Sequence, residues 1–404
     1  MQESVNQAIE KISPFKALSN EQKQLKETVE KFIIANLHAE QHAVFTIRGD
    51  AGTGKSVVLS QLFNDLQTAA ANENSPLYHT KNIFLVNHPE LLKVYQSIAG
   101  ELPHMLKKNF DRPTTFINRA AKKDEHYDVA VIDEAHLLLS RPDRYNNFDQ
   151  DNQLIEIIKR AQVVVLVFDE YQVLKTKSFW NRERLQKIVD QYIHAEYDLH
   201  RQFRMQASPE IVDWINAFIR GKIKPMPQST SGNFDFRIMA DAEKMYQLIR
   251  QHDREDGLSR IVSTTGYPST LDGRKHYIDE GKFHLPWDQY NYSKIPWAEK
   301  PETINEVGSI YTVQGFDLNY VGVILGPPIE YVPETDAVTV NLNKVTDVEI
   351  FKKRPDITDP ATLVQLKKQL IMNTLNVLFK RGVHGLYIYA SQPELRARLT
   401  ENKL

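Results

Sequence analysis

The sequence predicts an α/β fold, mostly parallel sheets flanked by helices, arranged as two successive halves. Three observations carry this expectation. Short, continuously apolar runs recur along the chain, each run is followed by a stretch of helical periodicity, and a glycine-rich turn joins the first run to the first such stretch. Runs of four to six residues without polar alternation fit strands covered on both faces, as in a parallel sheet under helices. Strands that alternate with helices imply right-handed crossovers and an open sheet.

In order, AVFTI (43–47) is the first expected strand, and KSVVLSQLFNDLQTAAA (55–71) is the first helix behind the glycine turn. There Val58, Leu59, Leu62, Phe63 and Leu66 repeat at helical spacing. IFLV (83–86), VAVI (129–132) and VVVLVF (163–168) are the next strands. Residues 175–196 are polar and amphipathic, and close the first half. In the second half, FDFRIM (234–239), RIVST (260–264), VGVIL (321–325) and LYIYA (386–390) are the strands. Asp359 before Pro360 reads as an N-cap and first helical position, opening a helix that runs to about Arg381 and stops at Gly382. The expected division is 1–195 and 196–404, with an irregular aromatic-rich insert at about 267–300.

At 404 residues the chain has room for two to three domains of roughly 150 residues each. Its 41% hydrophobic and 25% charged residues exclude a disordered chain. A net charge of −2 excludes nucleic-acid binding driven by overall positive charge, so any such binding uses a local patch. With zero cysteines there is no disulfide, thiol nucleophile or cysteine-ligated zinc. The opening MQESVNQAIEKISPF has no apolar core of the signal-peptide kind. No apolar run approaches the ~18 residues of a membrane span. The expectation is a cytoplasmic protein that does not engage membranes.

Gly49-Asp50-Ala51-Gly52-Thr53-Gly54-Lys55-Ser56 satisfies the phosphate-loop pattern G-x-x-x-x-G-K-[ST], in the strand-then-helix setting that the pattern requires. Glycines let the backbone curl so that its N–H groups point at phosphate oxygens, helped by the positive end of the following helix. Lys55 would reach the β- and γ-phosphates and the Ser56 hydroxyl would coordinate Mg²⁺. Val131-Ile132-Asp133-Glu134-Ala135-His136 closes another buried strand. Asp133 at its end would hold Mg²⁺, and Glu134 would orient or deprotonate the attacking water. His136 reads as a hydrogen-bonder that couples domains. No Asn-Lys-x-Asp guanine-reading motif occurs, so ATP is the expected nucleotide.

Further motifs give a resemblance to superfamily 1 helicases. Leu18-Ser19-Asn20-Glu21-Gln22 resembles their adenine-reading glutamine motif, which implies that Gln22 binds adenine. Phe168-Asp169-Glu170-Tyr171-Gln172 resembles the third motif, in which Gln172 would sense the γ-phosphate. Leu199-His200-Arg201-Gln202-Phe203-Arg204 resembles the fourth, implying Arg204 at the γ-phosphate and Phe203 stacked on adenine. The stretch 308–317, with Gln314, Gly315 and Asp317, resembles the fifth, and 377–382, with Arg381, the sixth. More narrowly, YTVQGFDLNYVGVILG and NTLNVLFKRGVHGLYIYA are similar to the bacterial helicase-like family related to the Schlafen helicase domain. The resemblance spans about residues 15 to 400. It departs from the family at Lys380, where Thr usually precedes the arginine, and in lacking room for the large inserted subdomains of processive unwinding enzymes. It implies two RecA-like domains, with the arginines of the second acting on a nucleotide held by the first.

Single-stranded DNA or RNA is the expected partner. Lys107, Lys108, Arg112, Arg119, Lys122 and Lys123 cluster with Phe110 and Phe116, offering charge for a backbone and rings for bases. A solvated helix face over two core phenylalanines is the competing reading. Asn87 and His88 stand where the resemblance places a strand-contacting motif. The aromatics of 267–297 fit either a stacking platform or internal packing. No His/Asp/Glu spacing suggests a metal site beyond the nucleotide's Mg²⁺. The reading is a nucleic-acid-dependent ATPase. Its rivals are an ATP-gated binding module and a defence effector whose output comes from a separate nuclease partner.

Overall fold

The computed structural model describes residues 12–49, 52–174, 176, 180–199, 205–227, 234–268, 274–289, 291–293, 295–313, 316–347, 350–351 and 357–401. The chain forms two compact units, Met1–Val173 with Lys177–Gln202, and Leu174–Thr176 with Phe203–Leu404.

The first unit is built on strands β1 (Ala43–Gly49), β2 (Asn82–Val86), β3 (Phe110–Asp111), β4 (Tyr127–Asp133), β5 (Ala161–Phe168) and β6 (Ile193–Leu199). They pair in the order β3-β2-β4-β5-β1-β6, every pairing parallel. β2 is buried throughout, and β4 and β5 nearly so, as continuous apolar runs require when helices cover both faces. Helix Lys55–Ala70 packs Val58, Leu59, Leu62, Phe63 and Leu66 into that core beside Phe45 and Phe84.

The second unit holds β7 (Asp235–Met239), β8 (Arg260–Ser263), β9 (His276–Glu280), β10 (Phe283–Trp287), β11 (Val307–Gly308), β12 (Leu318–Leu325), β13 (Ile329–Val332), β14 (Ala337–Val340) and β15 (Gly382–Ala390). Seven of these form one sheet in the order β7-β15-β12-β8-β11-β10-β9, and β13 and β14 pair as a separate hairpin. All pairings in the large sheet are parallel except the antiparallel β9–β10.

Three elements differ from the sequence expectation. β6 lies where no strand is expected, and a boundary at 195/196 falls within it. Its residues alternate between partly buried and exposed because it lies at a sheet edge, so it carries no apolar run. The expected irregular insert contains the β9–β10 hairpin, which extends the second sheet. The long C-terminal helix begins as expected, with the Asp359 side chain accepting from Ala361 N and Thr362 N, but ends at Phe379.

Candidate nucleotide site

The phosphate loop leaves the C-terminal end of β1 and enters the helix Lys55–Ala70, the position from which backbone amides and helix dipole converge on an anion. Gly54 caps that helix at φ +79° with no side-chain cap. The left-handed backbone favours glycine there, and a Cβ would lie 2.2 Å from Gln22 Nε2, so any side chain would also displace the Gln22 amide.

Around the loop, three buried pairings place the motif residues together. Lys55 Nζ donates to Gly49 O at 2.5 Å and lies 3.6 Å from Asp169 Oδ2. The same Asp169 oxygen accepts from Gln172 Nε2 at 2.6 Å, so one carboxylate links the phosphate-loop lysine to the third motif's glutamine. Asp133, 1% exposed, accepts from the Tyr95 hydroxyl at 2.8 Å and from its neighbour's backbone, Glu134 N, at 2.9 Å. Burial and the adjacent Glu134 push the Asp133 carboxyl up to about 6, against hydrogen bonds from Tyr95 and Ser56 that pull it down. Glu134 sits at φ +53°, and its Oε2 lies 2.9 Å from Nε2 of the fully buried His136. A left-handed glutamate is an uncommon backbone state that the turn Ala135–Leu137 holds in place.

These groups fit a magnesium nucleotide. The Ser56 hydroxyl and the buried Asp133 carboxylate offer hard oxygen ligands, Lys55 a compact cation, and the loop amides an anion cradle. Tyr95 is the residue that sequence reading missed. It sits in helix Pro89–Ala99 outside any motif, on the buried apolar face it shares with Leu91, Val94 and Ile98, and its hydroxyl bridges Asp133 and Ser56 O, the latter at 3.4 Å. Burial and the Asp133 charge hold its phenol well above the usual range, so it remains a donor.

Gln22, expected at adenine, lies beside the phosphate loop. It closes a capping box with Ser19, and its Nε2 donates to Thr53 O at 3.0 Å. Its amide therefore braces the phosphate loop. Arg381 is 1% exposed and donates from Nη1 to Phe316 O at 3.0 Å, inside its own unit. Asp317 is half-buried. Asp50, Ala51, Phe203, Arg204, Gln314 and Gly315 lie outside the described residues.

The expected nucleic-acid contacts divide. Phe110 and Phe116 are buried at 3% and 0%, so both rings belong to the core and the stacking reading of that segment is overturned. Lys107, Lys108, Arg112, Lys122 and Lys123 are exposed, while Arg119 is ion-paired with Asp111. His88 is buried and caps helix Pro89–Ala99 by accepting from Leu91 N at 3.3 Å, and Asn87 Nδ2 donates to Leu137 O at 2.6 Å. Both side chains thus act within the fold. Tyr267, Phe283, Trp287 and Trp297 are likewise buried, which favours internal packing for the aromatic insert.

One cluster of metal-ligand type lies where the sequence suggests none. His252, Glu255 and Asp256 bring ligand atoms within 4.8 Å of one another on one helix face. However, the His252 ring is stacked on Tyr320 and engages Tyr387 Oη at 2.9 Å and Asp256 Oδ2 at 3.3 Å. Both ring nitrogens are used within the protein. Among the described residues, no helix is long and apolar enough to cross a membrane.

Known proteins similar to this chain show its family. A family model for the Schlafen group 3 DNA/RNA helicase domain matches residues 42–392. An uncharacterized protein of Saccharomyces cerevisiae is 38% identical over 423 aligned positions, covering 97% of this chain and 92% of the relative. Among solved structures, the Pif1 helicase of Candida albicans is matched at 13% identity and a TM-score of 0.40, over 96% of this chain and 100% of that one. The Pif1 helicase of Bacteroides, solved with ADP-AlF3 and single-stranded DNA, is matched at 11% identity and 0.34, over 92% of each chain. By the family model, which matches most of its length, the chain belongs to the Schlafen group 3 DNA/RNA helicase domain family.

Proposed function

We propose that this protein is a nucleic-acid-dependent ATPase that couples hydrolysis to translocation on, or remodelling of, single-stranded DNA or RNA. The observation that carries the reading is the convergence of Lys55, Gln172, Asp133 and Glu134 around one phosphate loop, through Asp169 and through the turn after β4. Loop amides and Lys55 bind and orient the triphosphate. Ser56 and Asp133 would hold the magnesium that accompanies the nucleotide, which would offset the phosphates' charge. Glu134 then orients the attacking water and accepts its proton. Gln172, tied to Lys55 through Asp169, reports the γ-phosphate to the third motif. Arg204 and Arg381 supply guanidinium charge to the transferring phosphoryl group, an effect that reaches ~10³–10⁵ in rate elsewhere. The exposed Lys107, Lys108 and Arg112 supply charge for a strand's backbone.

The test is phosphate release by the purified chain with and without single-stranded DNA or RNA at fixed salt. Stimulated hydrolysis that disappears in Lys55→Ala and Glu134→Gln is the expected result. Tight strand binding with negligible turnover, unchanged by Glu134→Gln, would instead make it an ATP-gated binding module.

A further inference from the structure

Behind β4 the chain passes through Glu134 and the short turn Ala135–Leu137 into Leu138 and Leu139, which belong to no strand or helix. Buried backbone groups in such a stretch need partners from elsewhere. Here three successive residues find them on side chains from three separate parts of the first unit. Leu137 O accepts from Asn87 Nδ2 at 2.6 Å, and Leu138 O accepts from the buried Trp180 Nε1 at 2.7 Å. Leu139 N donates to Gln153 Oε1 at 2.8 Å. Gln153 is 0% exposed, and its backbone N donates in return to Leu139 O at 2.9 Å. Its Nε2 donates to Thr114 Oγ1 at 2.8 Å. Gln153 opens the helix Gln153–Ile158, and Thr114 lies in the first turn of helix Pro113–Lys123. Thr114 therefore stands two positions after Arg112, which with Lys107 and Lys108 forms the exposed basic segment.

A glutamine suits this post, because one planar amide offers an acceptor to Leu139 and a donor to Thr114. It joins the stretch behind Glu134 to the helix behind the basic segment. Glu134 holds φ +53°, a state that persists only where its surroundings over-determine it. The turn's own bonds, Leu137 N to Glu134 O at 2.9 Å and Leu138 N to Ala135 O at 3.0 Å, secure the near end. Asn87, Trp180 and Gln153 secure the far end. Releasing the far end lets Glu134 relax to an ordinary backbone state and carries its carboxylate away from the attacking water. A misplacement of about 1 Å costs about a hundredfold in rate. We propose that Thr114 and Gln153 are positioning residues that relay strand binding to Glu134. A strand held by Lys107, Lys108 and Arg112 fixes the first turn of helix Pro113–Lys123, and Thr114 and Gln153 pass that constraint to the stretch that sets Glu134. The element with two states is the Glu134 turn, which both ends bias. The inference rests on the proposed nucleic-acid-dependent ATPase and supplies its link between strand and hydrolysis.

The experiment compares, in the full chain, Thr114→Val, which nearly keeps the side chain's shape but removes the Oγ1 acceptor, with Thr114→Ser, which keeps the hydroxyl. At saturating oligothymidylate, kcat should fall about tenfold in Thr114→Val, with KM for ATP and affinity for the labelled strand unchanged. Thr114→Ser should retain the wild-type kcat. An unchanged kcat in Thr114→Val, an equal fall in both variants, or a change in KM alone overturns the relay. Thr114→Ala takes the place of the valine variant should that fail to fold. A second readout is independent of turnover. The Trp180 indole N–H is bonded to the same stretch, and its ¹⁵N NMR signal is identified by its loss in Trp180→Phe. Binding of oligothymidylate should shift that signal in wild type and Thr114→Ser, and leave it in place in Thr114→Val. A strand that binds wild type without moving the signal, or moves it equally in Thr114→Val, overturns the relay and leaves the ATPase reading intact. A shift that depends on the Thr114 hydroxyl, in a protein that does not hydrolyse ATP, supports the relay and overturns the ATPase reading. If wild-type protein binds no strand, the nucleic-acid reading fails and the relay falls with it.

Discussion

The Tyr95 hydroxyl donates a 2.8 Å hydrogen bond to Oδ2 of Asp133, joining a helix that carries no recognised motif to the carboxylate at the end of β4. Both groups are buried, and the tyrosine is fully so. Partners of this kind set the direction in which a ligating carboxylate points, and their loss typically costs 10–100-fold in metal affinity or activity.

Tyr95→Phe is therefore expected to weaken Mg²⁺ dependence of hydrolysis by about tenfold with the fold intact. Mn²⁺ binding followed by electron paramagnetic resonance gives a readout independent of turnover. Unchanged metal affinity in the variant would mean that Tyr95 only fills space.

The raised Asp133 carboxyl gives a pH dependence with a definite sign. Asp133 binds its proton more tightly in the folded chain than at its ordinary value of 3.8. Its contribution to stability is therefore full below about 4 and is lost as pH rises through about 6, when no divalent cation is present. Asp133→Asn should remove this slope and leave the variant about 1–3 kcal/mol more stable than wild type at neutral pH, while abolishing hydrolysis. Urea unfolding of both proteins across that range, with chelator present, measures the difference. A gap that does not grow with pH would contradict it.

Gly54 and Gln22 are coupled by contact. Gly54→Ala forces a Cβ against Gln22 Nε2 and strains a backbone at φ +79°, for an expected loss of about 1–3 kcal/mol and of nucleotide binding. Gln22→Ala removes the hydrogen bond to Thr53 O, which should raise KM by about tenfold. A loop brace predicts that ATP and GTP suffer alike, whereas an adenine contact predicts loss for ATP alone. In the double variant the clash is relieved but the strain persists, so the two effects should not add.

The segment around Phe110 separates core from surface. Phe110→Ala and Phe116→Ala should each cost about 3–5 kcal/mol in chemical denaturation, because both rings are buried. Lys107→Ala with Lys108→Ala should leave stability unchanged. If a strand passes there, the pair should lower the salt dependence of its binding by about two phosphate contacts.

Legibility in the sequence follows burial. β2, β4 and β5 are covered on both faces, so their apolar runs are continuous and read directly. β6 is an edge strand with one face toward water, and its IHAEYDL offers no such run. The β9–β10 hairpin holds Pro286 and alternating polar residues, which masks a local antiparallel pairing at the sheet edge. Phe110 and Phe116 illustrate the opposite failure, since a ring beside lysines has the same local sequence whether it faces core or solvent.

The order of residues by itself determined the phosphate loop, the acidic pair after a buried strand and the α/β rhythm. Those features depend on neighbours a few positions apart and on the glycine and capping chemistry of single turns. Only the tertiary structure decided that Gln22 leans on Thr53, that Asp169 ties Lys55 to Gln172, that Tyr95 reaches Asp133, and that Gln153 joins Leu139 to Thr114. These relationships join positions far apart in the chain, or set the facing of one side chain. Such pairings are fixed by how sheets and helices close around a core, which local periodicity does not encode.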